Sequence, residues 1–435
     1  MKQKSLITLL IFLLISSCME KFVVPNDIVN ENLDGLSAGD TTFVQISPSW
    51  GISYGFTSPN EISIAQDGRI YIADSSSGSI CVLDQDGSKP NGFESLLSLE
   101  DGNGDLINPI DVDIDKKMNV YFIDGSEKIF VWNQYWNEIG IKKVSTSGVF
   151  THIGSGVDTL VFYGSDLWFT ILNSSNEWSI KEINAEENQT IIDSLTNPHV
   201  FYDGSSEMNQ FLDTYYSSEL STFSGLTTTY DSENYIYVAD NYGGGENQHR
   251  IIEIVFQRSL IIELNSDEFV WAFRGQFGST IKGYGTGSGT VNAPVSLDMD
   301  YQGNIYYTQE GDFFPLHMIK PNLSGDFATY TSGFQPNSDD IMNAEVYSQF
   351  FDVFVDNSRN VYAVDKKEDA IHVFNSNGKF FKSVDLFKNN ISILNSPNAV
   401  AVDQRGVIYV CNSGDNTIHR FKLSNSLDED LTPED

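Results

Sequence analysis

Two segments far apart in the chain repeat one pattern, and this repeat limits the available folds more than any other feature. Residues 58–83, SPNEISIAQDGRIYIADSSSGSICVL, align without a gap with residues 396–421, SPNAVAVDQRGVIYVCNSGDNTIHRF, and nine of the 26 positions are identical. Each copy alternates apolar and polar residues in three runs separated by turns rich in Gly, Ser, Asn and Asp. Such a three-stranded unit cannot bury both of its faces alone, so it requires neighbouring units.

The repeated unit resembles the NHL repeat, whose copies form the blades of a β-propeller. The resemblance rests on the leading Pro59 and Pro397, on the second strands 70–74 and 408–412, and on the polar turns that follow them. It implies an all-β fold in a single closed propeller. It implies little about activity, because propellers serve both in binding and in catalysis.

An aromatic residue in the second strand marks each unit and gives a blade count. We expect seven four-stranded blades, although the third unit is degenerate and leaves six or eight open. The last unit shows only three strands, so Thr41–Ser47 is predicted to supply its outer strand and close the ring. The marker residues are 47 to 69 positions apart: Tyr71, Tyr121, Trp168, Tyr237, Tyr306, Tyr362 and Tyr409.

The first 18 residues have the pattern of an export signal. Lys2 and Lys4 precede the apolar run 6–15, and the sequence ISSC ending at Cys18 resembles a bacterial lipobox, which implies acylation of that cysteine. A plain membrane anchor or a buried N-terminal helix are the alternatives. We therefore expect a lipoprotein of the cell envelope, at the outer membrane. The predicted segments are a signal peptide at 1–18, a flexible tether at 19–40, the propeller at 41–424 and an acidic tail at 425–435.

The chain is strongly acidic, with 60 Asp and Glu residues against 25 Lys and Arg residues and a net charge of −35. Removal of the signal peptide would take two lysines and no acid, which leaves 23 basic residues and a net charge of −37. Such a surface repels phosphate backbones and anionic lipid head groups. We therefore expect no nucleic-acid partner, and contact with the membrane through the lipid anchor alone.

Carboxylates recur at the start of the predicted innermost strands, two positions after the shared proline. Glu61, Asp111, Asp158 and Asp352 are predicted to line the mouth of the axial channel, with Asp113 and Asp298 one layer deeper. Converging carboxylates suit a hard cation, Ca²⁺ above others, so calcium is the one cofactor that the sequence suggests. The alternative is a solvated channel that simply tolerates acids.

Long connections are predicted to fall on one face of the propeller. They are 124–140, 197–224, 241–250, 275–292, 310–316 and 333–348, and apolar spacing after Ser205 and Ser206 predicts a short amphipathic helix in the second of them. Aromatic side chains in or near these connections would stack on a glycan or a protein, or else pack within the loops themselves. They are Trp132, Tyr135, Trp136, Tyr202, Tyr215, Tyr216, Tyr242, Phe313 and Phe314.

Signals for catalysis are sparse. His249, Tyr242 and Arg250 form the one grouping that could remove a proton beside a carboxylate sugar, as in polysaccharide lyases of propeller fold. No catalytic histidine or glycine motif of known spacing occurs. Cys81 and Cys411 lie in apolar strands, where buried thiols are more usual than a disulfide.

Three functional hypotheses follow. The first is a non-enzymatic, lipid-anchored propeller that binds a glycan or protein ligand on its elaborated face, as a monomer or as a subunit of an envelope complex. The second is an enzyme resembling a polysaccharide lyase. The third is a scaffold subunit of an outer-membrane complex.

Overall fold

The strands are mostly four to eight residues long, and they pair antiparallel, in most cases with a neighbour in the sequence. A computed structural model describes residues 42–91, 95–100, 105–133, 160–161, 168–172, 178–182, 198–205, 207–209, 214–217, 221–228, 235–243, 249–265, 268–311, 314–322, 329–336, 338–347, 349–384, 387–388, 391–426 and 432–433. Short 3₁₀ helices occur at Ile52–Tyr54, Asp340–Met342 and Ser424–Ser426. No helix in these ranges is long and apolar enough to cross a membrane.

The first half of the chain forms three blades, whose strands are named a to d from the innermost outward. Strand β1 (Phe43–Trp50) comes first and belongs to the last blade. Blade 1 contains β2 (Pro59–Ile64), β3 (Ile70–Asp74) and β4 (Ser79–Leu83), with a bridge from Ile80 to Leu96 in place of a strand d. Blade 2 contains β5 (Asp111–Ile114), β6 (Asn119–Ile123), β7 (Lys128–Asn133) and β11 (His199–Asp203), and between β7 and β11 lies a separate sheet of β8 (Leu160–Val161), β9 (Trp168–Leu172) and β10 (Trp178–Glu182).

Blades 3 to 6 follow in chain order. A hairpin of β12 (Glu207–Asn209) and β13 (Thr214–Ser217) leads to blade 3, which contains β14 (Phe223–Thr228), β15 (Tyr235–Asp240), β16 (Arg250–Asn265) and β17 (Glu268–Lys282). Blade 4 contains β18 (Pro294–Met299), β19 (Ile305–Gln309), β20 (Leu316–Asn322) and β21 (Thr329–Ser332). Blade 5 contains β22 (Val353–Val355), β23 (Val361–Asp365), β24 (Ala370–Phe374) and β25 (Phe380–Val384), and a small hairpin of β26 (Phe387–Lys388) and β27 (Ile391–Ser392) follows. Blade 6 contains β28 (Pro397–Val402), β29 (Ile408–Asn412), β30 (Thr417–Leu423) and β1, with β31 (Thr432–Pro433) beside β1.

The predicted single propeller of four-stranded blades is confirmed, but its number of blades in the described residues is six, and the preferred count of seven is wrong. Trp168, the marker of the presumed third blade, lies in β9, which pairs with β8 and β10. That sheet is an insertion between the third and fourth strands of blade 2. The count failed because an inserted strand has the same alternation and aromatic content as a strand of a blade.

The N-terminal strand closes the ring as predicted. β1 pairs antiparallel with β30, with Phe43 opposite Leu423 and Ile46 opposite Arg420. Ile46 and Trp50 of β1 are fully buried among side chains of blades 6 and 1. The strand that precedes the first blade therefore completes the last one and removes an exposed sheet edge.

Apolar cores lie between successive blades, because each twisted sheet presents an apolar face to both of its neighbours. Blades 1 and 2 share one such core, in which the rings of Tyr71 and Trp132 pack edge to face at 6.4 Å. The other described cores join blades 2 and 3, 3 and 4, 4 and 5, 5 and 6, and 6 and 1. Stability is therefore distributed around the ring.

An aspartate organises the turn between strands a and b in several blades. In blade 2, Asp115 Oδ1 accepts hydrogen bonds from the backbone N–H groups of Lys117 and Asn119, and its Oδ2 accepts from the Asn119 amide and the Tyr121 hydroxyl. The aromatic residue that marks the unit in the sequence thus ties its strand to the turn. The same set recurs around Asp300 and Asp356, and around Asp403 without the asparagine.

The d–a connections and the b–c turns share one face, which we call the loop face. Its described parts include residues 51–58, 75–78, 97–100, 105–110, 241–243, 283–293, 338–347 and 366–369. The prediction placed 124–140 wholly on this face, and this is wrong: the b–c turn of blade 2 ends before Lys128, and 128–133 is strand c. The insertion that follows joins strands c and d, so it begins and ends at the opposite face. The predicted helix in 197–224 is also wrong, since β12 and β13 form a hairpin there.

Candidate functional site

The innermost strands are joined around the axis by side-chain hydrogen bonds, which connect every consecutive pair of the six blades in the described structure. Asn60 donates to the carbonyl of Ile110, and Asn398 donates to Asn60 Oδ1 at 3.4 Å. Ser224 donates to the carbonyl of Pro294 at 2.7 Å. The remaining links are made by aspartates, so the aspartates that the sequence places at the axis connect neighbouring blades.

These aspartates accept hydrogen bonds from backbone N–H groups of the next innermost strand. Asp111 Oδ2 accepts from Leu226 at 2.7 Å, and Asp352 Oδ2 accepts from Val400 at 2.9 Å. One layer deeper, Asp113 Oδ2 accepts from Thr228 at 2.7 Å, and Asp298 Oδ2 accepts from Val355 at 2.5 Å. Innermost strands of different blades lie in separate sheets and do not pair with each other. Each carboxylate therefore pairs with a backbone N–H group at the inner edge of the next sheet.

Neighbouring hydroxyl groups complete some of these links. Ser63 donates to Asp113 Oδ1 at 2.8 Å, and Ser296 donates to Asp352 Oδ1 at 2.5 Å. Each of the two aspartates therefore touches the blade before it and the blade after it. A carboxylate accepts at both oxygens, which is why this position favours Asp over Asn.

Glu61 differs from the aspartates of the channel. Among the described residues its carboxylate accepts a hydrogen bond only from the adjacent N–H of Ile62, at 3.0 Å. Burial raises the pKa of Glu61 well above its usual range, and the charges of Asp352 and Asp111 raise it further. Glu61 is thus the channel acid that is most available to bind a proton or a cation.

Burial also raises the pKa values of the four channel aspartates. For Asp111 and Asp298 the pKa lies well above the usual range, because burial dominates and neighbouring carboxylates add to it, against backbone hydrogen bonds that lower the pKa. For Asp113 and Asp352 burial again dominates, against several hydrogen bonds that lower the pKa. Near this mouth Lys366 Nζ donates to Asn398 Oδ1 at 2.9 Å, which places a cation at the start of an innermost strand.

The structure brings Glu61, Asp111 and Asp352 to the mouth of the channel, while Asp158 lies outside the described residues. Calcium binding there remains a prediction. A Ca²⁺ ion takes six to eight oxygen ligands, and most of the channel oxygens already accept hydrogen bonds from backbone or hydroxyl donors. The geometry accounts for these aspartates as links between blades.

The predicted aromatic residues do not form one set. Trp132 lies in β7 and is fully buried between blades 1 and 2, so its prediction as a loop residue is wrong. Tyr202 lies in β11, is 6% exposed and packs near Phe223. Tyr242 and Phe314 are half-buried in b–c turns of the loop face. Tyr215 and Tyr216 lie in the strand β13, whereas Tyr135, Trp136 and Phe313 are outside the described residues.

The candidate catalytic grouping is only partly assembled. His249 and Tyr242 are joined through their backbones, N–H to carbonyl at 3.0 Å, and the His249 ring lies 5.7 Å from that of Tyr284. Arg250, however, is buried, and its Nε donates to Asp240 Oδ2 at 3.0 Å. That ion pair ties strand c to strand b of blade 3, so Arg250 does not present a free guanidinium to an acidic sugar.

The loop face carries an apolar feature that the sequence did not reveal. Eight large apolar side chains are exposed in the described part of the chain, and five of them lie in d–a connections of this face. Ile52 is 85% exposed and Leu97 is 70% exposed. Sequence alone gives no sign of this, because an apolar residue in a connection can equally well be buried. The five residues are Ile52, Leu97, Leu106, Tyr284 and Val346.

Comparison with known proteins gives a local family match and several distant solved structures. The NHL repeat model matches residues 394–421, which contain strands a and b of blade 6 and most of strand c, and no curated protein matches the chain significantly. Similar solved structures include virginiamycin B lyase from Staphylococcus aureus, with 12% identity over 88% of this chain and 100% of that chain, at a TM-score of 0.42. They also include a gluconolactonase from Xanthomonas campestris, with 9% identity over 88% of this chain and 94% of that chain, at a TM-score of 0.40. A third is the WD40 β-propeller domain of Doa1, with 13% identity over 88% of this chain and 97% of that chain, at a TM-score of 0.39.

These solved structures are too distant to carry a conclusion about the activity of this chain. The family match is local, but it falls on the segment that the internal repeat singled out, and the strands there form one blade of the ring. The chain is an NHL-repeat-like β-propeller.

Proposed function

We propose that this chain is an exported, lipid-anchored β-propeller that binds a protein ligand on its loop face, without catalysis. The observation that carries the proposal is that, among the described residues, five of the eight exposed large apolar side chains lie in the d–a connections of that face. Exposed apolar groups gathered on one face of a folded protein are typical of interaction sites. Aliphatic side chains dominate the set, which favours a protein ligand over a glycan, because sugar rings are bound mainly by aromatic faces.

The charge of the molecule supports the same proposal and narrows the ligand. With a net charge of −37 after removal of the signal peptide, the chain attracts basic partners over a distance of about one Debye length, roughly 8 Å at physiological ionic strength. The apolar groups of the loop face would then provide the contact area. A ligand with an apolar patch surrounded by lysine and arginine fits these two requirements.

In vivo photocrosslinking tests the proposal. A photoreactive amino acid is placed at Leu106 or Val346 on the loop face, and at the exposed Tyr301 or Phe381 elsewhere as matched controls. We expect crosslinked protein adducts at the first two positions and none at the controls. Equal yields at all four positions would show that the apolar residues of the loop face do not mark an interface.

A glycan ligand is the alternative outcome, and a second measurement detects it. Residues 19–435 are incubated with a panel of envelope and matrix polysaccharides, and binding is recorded together with the absorbance of unsaturated products. Binding of a polysaccharide without protein crosslinks would replace the protein ligand by a glycan. Unsaturated products that disappear in His249→Ala would favour a lyase instead.

Anchoring is tested separately from ligand binding. Because the lipobox resemblance makes Cys18 the acylated residue, Cys18→Ser should abolish labelling with a radioactive fatty acid and leave the precursor uncleaved. Alanine at the preceding Ser17 keeps a small residue there and serves as the control. Normal labelling of the Cys18→Ser chain would reject the lipid anchor and with it the expected attachment to the envelope.

A further inference from the structure

Three ionisable side chains meet in blade 5 on the loop face, away from the axial channel. Asp365 is the last residue of β23, His372 lies in β24, and Glu368 lies in the turn between these strands. Asp365 Oδ1 accepts hydrogen bonds from the N–H groups of Lys367 at 3.0 Å and Glu368 at 2.9 Å, which fixes the turn. Its other oxygen, Oδ2, faces His372 and lies 3.6 Å from Nε2.

His372 is held in place but is incompletely satisfied. The residue is 6% exposed, and its Nδ1 is paired with the Ser383 hydroxyl at 2.7 Å. Its Nε2 has no hydrogen-bond partner within the described residues, and it lies 3.8 Å from Glu368 Oε2. Both carboxylate distances exceed the usual range for a hydrogen bond. A buried ring nitrogen without a partner is costly unless something else occupies the gap.

In three other blades a polar residue of strand c makes a direct pair. In blade 6, His419 Nε2 pairs directly with Asp415 Oδ2 at 2.9 Å. In blade 4, His317 pairs with Gln309 at 2.9 Å, and in blade 3 Arg250 pairs with Asp240 at 3.0 Å. Each of these pairs joins strand c to the end of strand b or to the turn after it. Blade 5 also has polar residues there, but His372 Nε2 lies too far from Asp365 Oδ2 for a hydrogen bond, and the Glu368 carboxylate lies close to it as well.

The spacing suits a metal ion. The ligand atoms of Asp365, Glu368 and His372 all lie within 4.8 Å of one another, and this is the one such group among the residues that the structure describes. Two ligands that are each about 2.1 Å from a tetrahedral zinc ion lie about 3.4 Å apart, close to the 3.6 and 3.8 Å between His372 Nε2 and the two carboxylates. The bond from Nδ1 to Ser383 orients the ring, as outer partners of metal-binding histidines do.

We propose that Asp365, Glu368 and His372 bind a divalent transition-metal ion such as Zn²⁺. One imidazole nitrogen and two carboxylate oxygens form the donor set, which suits Zn²⁺ or Mn²⁺ better than the all-oxygen preference of Ca²⁺. The Glu368 side chain is 57% exposed, so the ion can enter from solvent and keep one position for water or for a group of a bound ligand. The metal tethers the turn of blade 5 to strand c.

Metal retention by the full chain in detergent tests the proposal. The protein is stripped with EDTA, loaded with Zn²⁺ and passed through a desalting column, and retained zinc is measured by plasma mass spectrometry. We expect the wild type to retain one equivalent more than Glu368→Gln and His372→Gln. Loss of one ligand should weaken zinc binding at least about tenfold.

Glu345→Gln is the matched control, because Glu345 is an exposed acid of the same face outside the triad, and its zinc content should equal that of the wild type. Glu368 is exposed, so its substitution reports on metal binding even if His372→Gln fails to fold. Equal zinc in the wild type and Glu368→Gln, or no zinc in the wild type, would overturn the proposal. The crosslinking variants at Leu106 and Val346 keep Asp365, Glu368 and His372. The metal site and the protein-binding function are therefore tested independently, and one can fail without the other.

Discussion

Glu61 and Asp298 lie in the same channel and both have raised pKa values, yet their hydrogen bonds differ. Both oxygens of Asp298 accept from backbone N–H groups, Oδ1 from Met299 at 2.7 Å and Oδ2 from Val355 at 2.5 Å. Glu61 accepts from Ile62 through a single oxygen, and nearby carboxylates raise its pKa in addition to burial. The aspartate therefore links two blades, whereas the ionised glutamate loses its hydration by burial and is repelled by neighbouring carboxylates.

Neutral substitutions should separate these two roles. Asp298→Asn places an amide NH₂ against a backbone N–H that cannot reorient, so it should destabilise the protein by about 1–3 kcal/mol although it removes a charge. Glu61→Gln removes repulsion and loses little, so the free energy of unfolding should rise. Urea denaturation at pH 8 measures both. A shift in the same direction for the two variants would contradict the distinction.

Strand β1 decides whether the ring is closed. It supplies strand d of blade 6, its Trp50 ring packs 5.5 Å from the ring of Tyr409, and the Arg420 guanidinium lies over the Trp50 ring at 4.7 Å. Without β1, the outer edge of β30 would be exposed along its length. One strand of eight residues thus holds the first and last blades together.

Deletion of residues 42–50 should therefore destabilise the whole domain. Loss of the buried side chains of Ile46 and Trp50 costs about 2–5 kcal/mol each, before the lost strand pairing is counted. Deletion of 19–39 is the control and should leave the melting temperature unchanged, because residues 43–435 form a compact unit of their own. Scanning calorimetry compares the two. Small and equal effects would show that β1 does not close the ring.

At the scale of the whole molecule, the buried acids make stability depend on pH. The five channel acids have raised pKa values, so above their ordinary range the folded chain binds more protons than the unfolded chain. The free energy of unfolding therefore falls as pH rises from the ordinary carboxyl range towards the folded pKa values. Asp415 has the opposite effect on the pH dependence, because its pKa is lowered. Burial would raise its pKa, but hydrogen bonds from His419, Thr417 and Asn412 prevail and lower it to about 2.

We therefore expect the melting temperature to rise as pH falls from 8 to about 5, because the channel acids become protonated in the folded state. Below about pH 4 it should fall, since Asp415 and similar acids lose their hydrogen-bonded charge as pH approaches 2. Glu61→Gln should show a shallower change between pH 5 and 8 than the wild type. Calorimetry across this range measures the profile, and a melting temperature that rises from pH 5 to 8 would contradict it.

Much of the fold was predictable because the signals are local. The alternation of Ser58–Leu83 and its copy at Ser396–Phe421 indicates strands, and three strands in the last unit indicate a missing fourth. The positions of Glu61, Asp111 and Asp352 at the axis followed from the same alignment. What they do there did not, because their hydrogen-bond partners lie in other blades, at separations such as the 115 residues between Asp111 and Leu226.

The sequence by itself determined the strand pattern, the propeller class and the closing strand, since alternation and turn chemistry are properties of neighbouring residues. The tertiary structure decided which strands belong to the ring, because the strand at Trp168 has the same local pattern as a strand of a blade but pairs within an insertion. It also decided that Trp132 is core, that Ile52 is exposed and that His372 faces two carboxylates across a gap. Burial and pairing depend on residues brought together from distant parts of the chain, and no local pattern encodes them.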